Sequence, residues 1–216
     1  MSRFIAFLLL LCALAPGLPL RAASPTPVLL VFGDSLSAGY GLKAGEGWVD
    51  LLGQRLAAEG YEFQLVNASV SGETTAGGLA RLPRALELHK PAIMVLELGA
   101  NDGLRGLSPA VTRANLERMV QLARARGIRV LLVGIRMPPN YGPRFTAEFD
   151  AMYARIAARE RVALAPFLLE GIASEPSLLQ PDNLHPNEAA QPRLLRNVWP
   201  QLQPLLRAVS TPRKAG

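Results

Sequence analysis

The sequence predicts a single α/β domain in which a parallel sheet is covered by helices on both faces. Three observations lead there. Short apolar runs alternate with longer stretches of helical spacing from residue 28 to residue 165. Those runs are nearly continuous rather than alternating, as strands are when both faces of a parallel sheet are buried. No internal repeat, low-complexity linker or compositional break divides the chain. Such alternation builds right-handed βαβ units and a doubly wound, three-layer α/β/α domain. A chain of 216 residues, 50% apolar and 19% charged, suits one globular domain. It buries roughly 70% of its unfolded surface and needs no disulfide or metal to stay folded.

The elements follow in order. Residues 1–23 have a basic start at Arg3, an apolar run from Phe4 to Ala15 and then Pro, Gly and small residues. This is the layout of a secretory signal cut near residue 23, and the run is too short to span a bilayer. Cys12 is a poor lipid-anchor site, because Leu11 stands where a lipoprotein signal places a small residue. The domain is expected over 24–208. Strands are predicted at 28–33 ("VLLVFG"), 62–68, 92–98, 128–135 and 162–165, with helices near 46–59, 76–89, 109–126 and 145–160. The C-terminal stretch has helical character interrupted by Pro192, Pro200 and Pro204. Proline removes a helical N–H donor, so a broken helix with Pro192 starting a segment is expected. Residues 209–216 are expected to be a disordered tail.

Composition closes several routes to function. Cys12 is the only cysteine and leaves with the signal, so thiol catalysis and Cys-based zinc sites are excluded. The two histidines, His89 and His185, are far apart, which argues against a His-rich metal site. His89, before Pro91, suits a helix end. The net charge of +6 falls by two without Arg3 and Arg21, and the remaining cations are interleaved with Glu. The run "RARGIR" at 124–129 reads as a solvated helix end. Nucleic-acid binding would need a basic stripe or an aromatic platform, and neither is present. The segment "GLKAGEG" lacks the Gly-Lys-Ser/Thr ending of a P-loop. "GYGLKA" at 39–44 matches a dinucleotide fingerprint, but its first glycine lies six residues past the strand end.

In an open parallel sheet, ligands gather at the carboxyl ends of the strands. Those ends are followed here by Gly33-Asp34-Ser35, by "NASVSGETT" with Gly72, by "GAND" with Asn101 and, after a longer connection, by "DNLH" with Asp182 and His185. Taken singly, each has a structural role open to it: Asp34 or Ser35 as a helix cap, Gly72 as a turn glycine, Asn101 or Asp102 as a cap, Asp182 as a turn cap. Together they are what acyl transfer requires. A serine hydroxyl needs an adjacent base. His185 can take its proton, and Asp182, three residues earlier, can fix the imidazole. The N–H groups of Ser35 and Gly72 and the Asn101 amide can serve as an oxyanion hole, and a residue without Cβ lets substrate approach the backbone. This is not the G-x-S-x-G elbow of α/β-hydrolases.

The blocks "GDSLS", the Gly72 loop, "GAND" and "DNLHP", in that order, resemble the SGNH (GDSL-type) hydrolases. "NASVSGETTAGGLARLP", "LELGANDGLRGLSP", "RMPPNYGPRF" and "HPNEAAQPRLL" are similar to the bacterial periplasmic thioesterase, lysophospholipase and arylesterase group of that family. The resemblance covers roughly residues 28–207, and the segments at 42–47 and 168–180 share least with the group. It implies a flavodoxin-like, five-stranded sheet in the order 2-1-3-4-5. It implies Ser35 as nucleophile, Asp182 and His185 as the rest of the triad, and Ser35, Gly72 and Asn101 as the oxyanion hole. It also implies a loop over an acyl groove at Gly103–Ser108, with Leu104 and Leu107 as lining residues. The expected substrates are small acyl esters, thioesters and lysophospholipids, with no cofactor, metal, nucleic-acid partner or stable membrane anchor. The chain is expected to be exported, to the periplasm or as a secreted protein, and to act as a monomer. The runner-up activity is carbohydrate O-deacetylation; loss of turnover with retention of the fold is the non-enzymatic alternative.

Overall fold

A computed structural model describes residues 25–210. Expectations for residues 1–23 and for most of the 209–216 tail therefore lie outside the described residues. Five strands form one parallel sheet: β1 (Val28–Gly33), β2 (Gln64–Asn67), β3 (Ile93–Glu97), β4 (Arg129–Val133) and β5 (Ala163–Ala165), in the order β2-β1-β3-β4-β5. The order reverses direction between β1 and β3, which opens a crevice at their carboxyl ends. β1 and β3 are the strands that lead into Ser35 and Asn101.

Seven helices complete the domain: α1 (Ser35–Ala38), α2 (Trp48–Ala58), α3 (Thr75–His89), α4 (Ala100–Leu104), α5 (Pro109–Arg124), α6 (Pro143–Glu160) and α7 (Gln191–Val209). α2 packs with α7 on one face of the sheet, and α3, α5 and α6 pack in sequence on the other. Leu29 to Phe32 and Ile93 to Leu96 are consequently buried whichever way their side chains point. That accounts for the near-continuous apolar runs in the sequence. Thr74 caps α3, its side chain accepting from the Gly77 N–H. His89 closes the last turn of the same helix.

One expectation fails. α7 is a single helix through Pro200 and Pro204 and ends at Val209, rather than a broken one. The two prolines are four residues apart on the exposed side, while Leu194, Val198, Leu202 and Leu206 are buried on the other. The carbonyls that lose a donor, those of Arg196 and Pro200, belong to exposed residues on that same side, where water can satisfy them. Burial of the apolar stripe then decides the conformation.

Candidate active site

β1 ends at Gly33 and the chain turns at once into α1, a helix of four residues. Asp34 is its N-cap, its Oδ1 accepting from the Leu36 N–H at 3.1 Å. Ser35 is thereby placed at the first helical position. Its Oγ lies 2.8 Å from His185 Nε2, and His185 Nδ1 lies 2.7 Å from Asp182 Oδ2. Asp182, three residues before His185, occupies a turn in which Asn183 takes a left-handed conformation with φ 54°. Its other oxygen, Oδ1, accepts from the backbone N–H groups of Leu184 at 2.9 Å and His185 at 3.0 Å. The turn cap and the imidazole partner are thus the two oxygens of one carboxylate.

The protonation states follow. Partial burial alone would raise the Asp182 carboxyl. The backbone and ring hydrogen bonds of His185 and the Leu184 N–H outweigh that and bring it down to about 2. An ionised carboxylate only accepts, so His185 Nδ1 is the donor. In the neutral imidazole Nε2 then carries the lone pair, and the Ser35 hydroxyl donates to it.

Asn101, in α4, donates from Nδ2 to Asp34 Oδ2 at 3.2 Å, which leaves its second amide hydrogen uncommitted. Gly72 has φ 79°, a conformation that disfavours any side chain, and a Cβ there would meet only Arg105 Nη2, 4.0 Å away. Its conformation requires glycine; crowding by the protein does not. Arg105 Nη2 donates to the Gly72 carbonyl at 3.0 Å and ties the two loops together. The N–H groups of Ser35 and Gly72 donate to no protein acceptor among the described residues. Asp102, beside Asn101, is structural: it accepts from Thr75 N at 2.8 Å, from Thr75 Oγ1 and from Thr112 Oγ1.

Two buried acids lie under the nucleophile turn. Asp34 is pushed up to about 7 by burial, with the charges of Asp102 and Glu73 adding and the Leu36 and Asn101 hydrogen bonds opposing. Glu97, the last residue of β3, is driven well above the carboxylate range by burial and by the Asp34 charge. Its Oε2 accepts from Ser37 Oγ at 2.7 Å and from the Asp34 N–H at 3.4 Å, and its Oε1 has no partner.

Ser35, Gly72, Asn101 and His185 open on one cavity of about 580 Å³, in the range of small-ligand sites. Leu104 lines it. Leu107 does not: it is 42% exposed, beyond the turn at Gly106. Its N–H donates to the Asp102 carbonyl at 2.9 Å, closing the end of α4 and directing its side chain to solvent. Most of the apolar wall was not foreseen. It comes from Ile135, Met137, Phe167, Leu169 and Leu179, in the loops after β4 and β5, and from Leu184 beside the imidazole. Of these, only Met137, in "RMPPNYGPRF", and Leu184, in "DNLH", lie in blocks that the sequence singled out. Among the described residues, no group of three or more His, Cys, Asp or Glu is placed to hold a metal ion.

A serine, an imidazole and a carboxylate in sequence at the strand ends of a doubly wound domain, opening on an apolar cavity, define a hydrolase of the serine type. The chain belongs to the GDSL-like Lipase/Acylhydrolase family, whose sequence profile matches residues 31–192, and it hydrolyses ester bonds. It is 57% identical over 186 residues to Esterase TesA of Pseudomonas aeruginosa, covering 86% of this chain and 92% of that protein. It is 42% identical over 189 residues to the thioesterase 1/protease 1/lysophospholipase L1 of Escherichia coli, covering 88% and 89%. The crystal structure of TesA matches with a TM-score of 0.81 at 57% identity, over 82% of this chain and 99% of that one.

Proposed function

We propose that the chain is an exported serine esterase that cleaves carboxylic esters and thioesters with an apolar acyl chain, through an acyl-Ser35 intermediate. The observation that carries the reading is the hydrogen-bonded run from Ser35 Oγ through His185 to Asp182 at the mouth of an apolar cavity. Ser35 Oγ attacks the carbonyl carbon while its proton passes to His185 Nε2, and the imidazolium is stabilised by Asp182. The tetrahedral oxyanion is held by the N–H groups of Ser35 and Gly72 and the free Asn101 amide hydrogen. As the carbon–oxygen or carbon–sulfur bond breaks, His185 returns the proton to the leaving alcohol or thiol. Water then attacks the acyl-enzyme, giving its proton to His185, and Ser35 leaves with that proton to restore the resting state. The wall residues Ile135, Met137 and Leu179 suit the acyl chain, so medium and long esters and lysophospholipids are the substrate class. Export to the periplasm, supported by the N-terminal sequence, and action as a monomer belong to the same reading. No helix among the described residues is long and apolar enough to cross a membrane.

Hydrolysis of aryl esters from acetyl to palmitoyl, by the wild type and Ser35→Ala, tests this. Activity on medium and long chains that vanishes in the variant is the expected result. Activity confined to acetyl esters would instead support a carbohydrate O-deacetylase, and equal activity of the two proteins would remove Ser35 as nucleophile.

A further inference from the structure

We propose that Gln180 is a positioning residue for His185, tying the loop that carries the base to the turn that follows the nucleophile. The proposal rests on the reading of Ser35 and His185 given above. The His185 loop has no helix and only an isolated antiparallel bridge between Leu179 and Pro186. Both ring nitrogens are bonded, but those bonds do not by themselves fix how far the loop stands from α1. Gln180 does so with all three of its N–H hydrogens. One Nε2 hydrogen goes to the Tyr40 carbonyl at 2.8 Å and the other to the Pro186 carbonyl at 3.0 Å. Its main-chain N–H goes to the His185 carbonyl at 2.7 Å. Tyr40 in turn sets its ring against the imidazole, with centroids 4.5 Å apart and planes at 40°. One side chain therefore grips the carbonyl of the residue after His185 and that of the residue that covers its ring, the latter across 140 positions of sequence.

The chemistry at this point is restrictive. Both acceptors are carbonyls, so the group between them must present two hydrogens and no lone pair. A carboxylate fails that requirement, and Asn is one methylene short. On the opposite side, Gly41 has φ 75°, and a Cβ there would run into the Gln180 amide, so the chain passes the amide at backbone distance. Asp182 and His185, by contrast, are held to one another locally. Loss of Gln180 is therefore expected to move the pair as a unit relative to Ser35, and a displacement of about 1 Å at a reacting centre costs up to about 100-fold in rate.

The test uses Gln180→Met, which keeps the volume and removes both donors, and Gln180→Glu, which decides the matter if the first variant does not fold. kcat and KM on a soluble short-chain aryl ester are measured together with the downfield proton resonance of His185 Nδ1–H. The expected result is a fivefold or greater loss of kcat, with KM within twofold and the resonance retained. A loss of kcat below fivefold would overturn the proposal. So would a larger loss accompanied by disappearance of the resonance, since Gln180 would then be shaping the Asp182 turn itself. Covalent labelling of wild-type Ser35 by an alkyl phosphonate, followed by mass spectrometry, tests the underlying reading separately. An unlabelled Ser35 would sink that reading whatever the Gln180 variants do.

Discussion

Ser35 and His185 meet at 2.8 Å from opposite structural settings. Ser35 is an extension of the core: β1 is buried along almost its whole length, and the turn after it rests on Asp34 and Glu97, both fully buried. Asn101 reaches the site from β3 in the same way. The His185 loop leaves the sheet after β5, runs through irregular chain and short 3-10 turns, and stands at the surface, with the Asp182 side chain 40% and the His185 side chain 15% exposed. The proposed nucleophile is placed by packing, the proposed base by a few hydrogen bonds. Core changes should therefore disturb the first, and single polar substitutions the second.

The largest expected effect lies on the base side. Asp182→Asn should keep the fold and cut kcat by about 10⁴-fold, because an amide in place of the carboxylate favours the wrong imidazole tautomer. Near-normal turnover would show that the Asp182–His185 contact is only a turn cap. The acid limb of the wild-type pH–rate profile sharpens the same point. Asp182 stays ionised down to about 2, so it takes up no proton in mildly acidic solution, and the acid limb should lie well above the range in which Asp182 protonates. An Asp182 carboxyl signal that titrated in the ordinary carboxylate range would contradict that assignment.

On the core side, Asn101→Ala should lower kcat by about 10²–10³-fold with little change in KM, as for loss of one oxyanion donor. A change confined to KM would place Asn101 in ground-state binding. Glu97→Gln examines what lies under the turn. Asp34 and Glu97 hold protons in the folded state at pH values where the unfolded chain has released them, so the stability they contribute is full in acid and is lost as pH rises from about 4 toward 7 and beyond. The variant keeps an acceptor for Ser37 and removes one acid. It should melt a few degrees above wild type at pH 8, with a smaller gap at pH 5, given that ~1 kcal/mol moves the melting point of such a domain by roughly 2–4 °C. An equal gap at both pH values would mean that these acids do not titrate in that window. The smallest effect is expected at Leu107, whose change to Ser should leave kcat/KM for a long-chain ester within about twofold, whereas Leu104→Ala should raise KM. A large loss at Leu107 would place it in contact with substrate.

The same division explains what could be read in advance. Strands β1, β3 and β4 are legible because burial on both faces forces continuous apolar runs, and strand ends then locate Ser35, Gly72 and Asn101. Asp182 and His185 are legible because their contact spans three residues. The wall of the cavity is not, since Ile135, Phe167 and Leu179 look like core residues until tertiary structure sets them around one space. Leu107 misled for the reverse reason: one left-handed glycine, Gly106, turns it away from the cavity its neighbour Leu104 lines. Pro200 and Pro204 misled because local propensity carries no information on which face of α7 meets the sheet.

The three-residue spacing of Asp182 and His185 also governs how the site can move. In a triad assembled from three distant segments, any displacement of one loop breaks up the proton relay at an arbitrary point. Here Asp182 and His185 sit on one loop and are held to each other by hydrogen bonds of their own turn. That loop meets the turn after β1 at the Ser35 hydroxyl and, through Gln180 and the Tyr40 ring, at Tyr40, so a displacement that breaks those contacts leaves the Asp182–His185 contact whole.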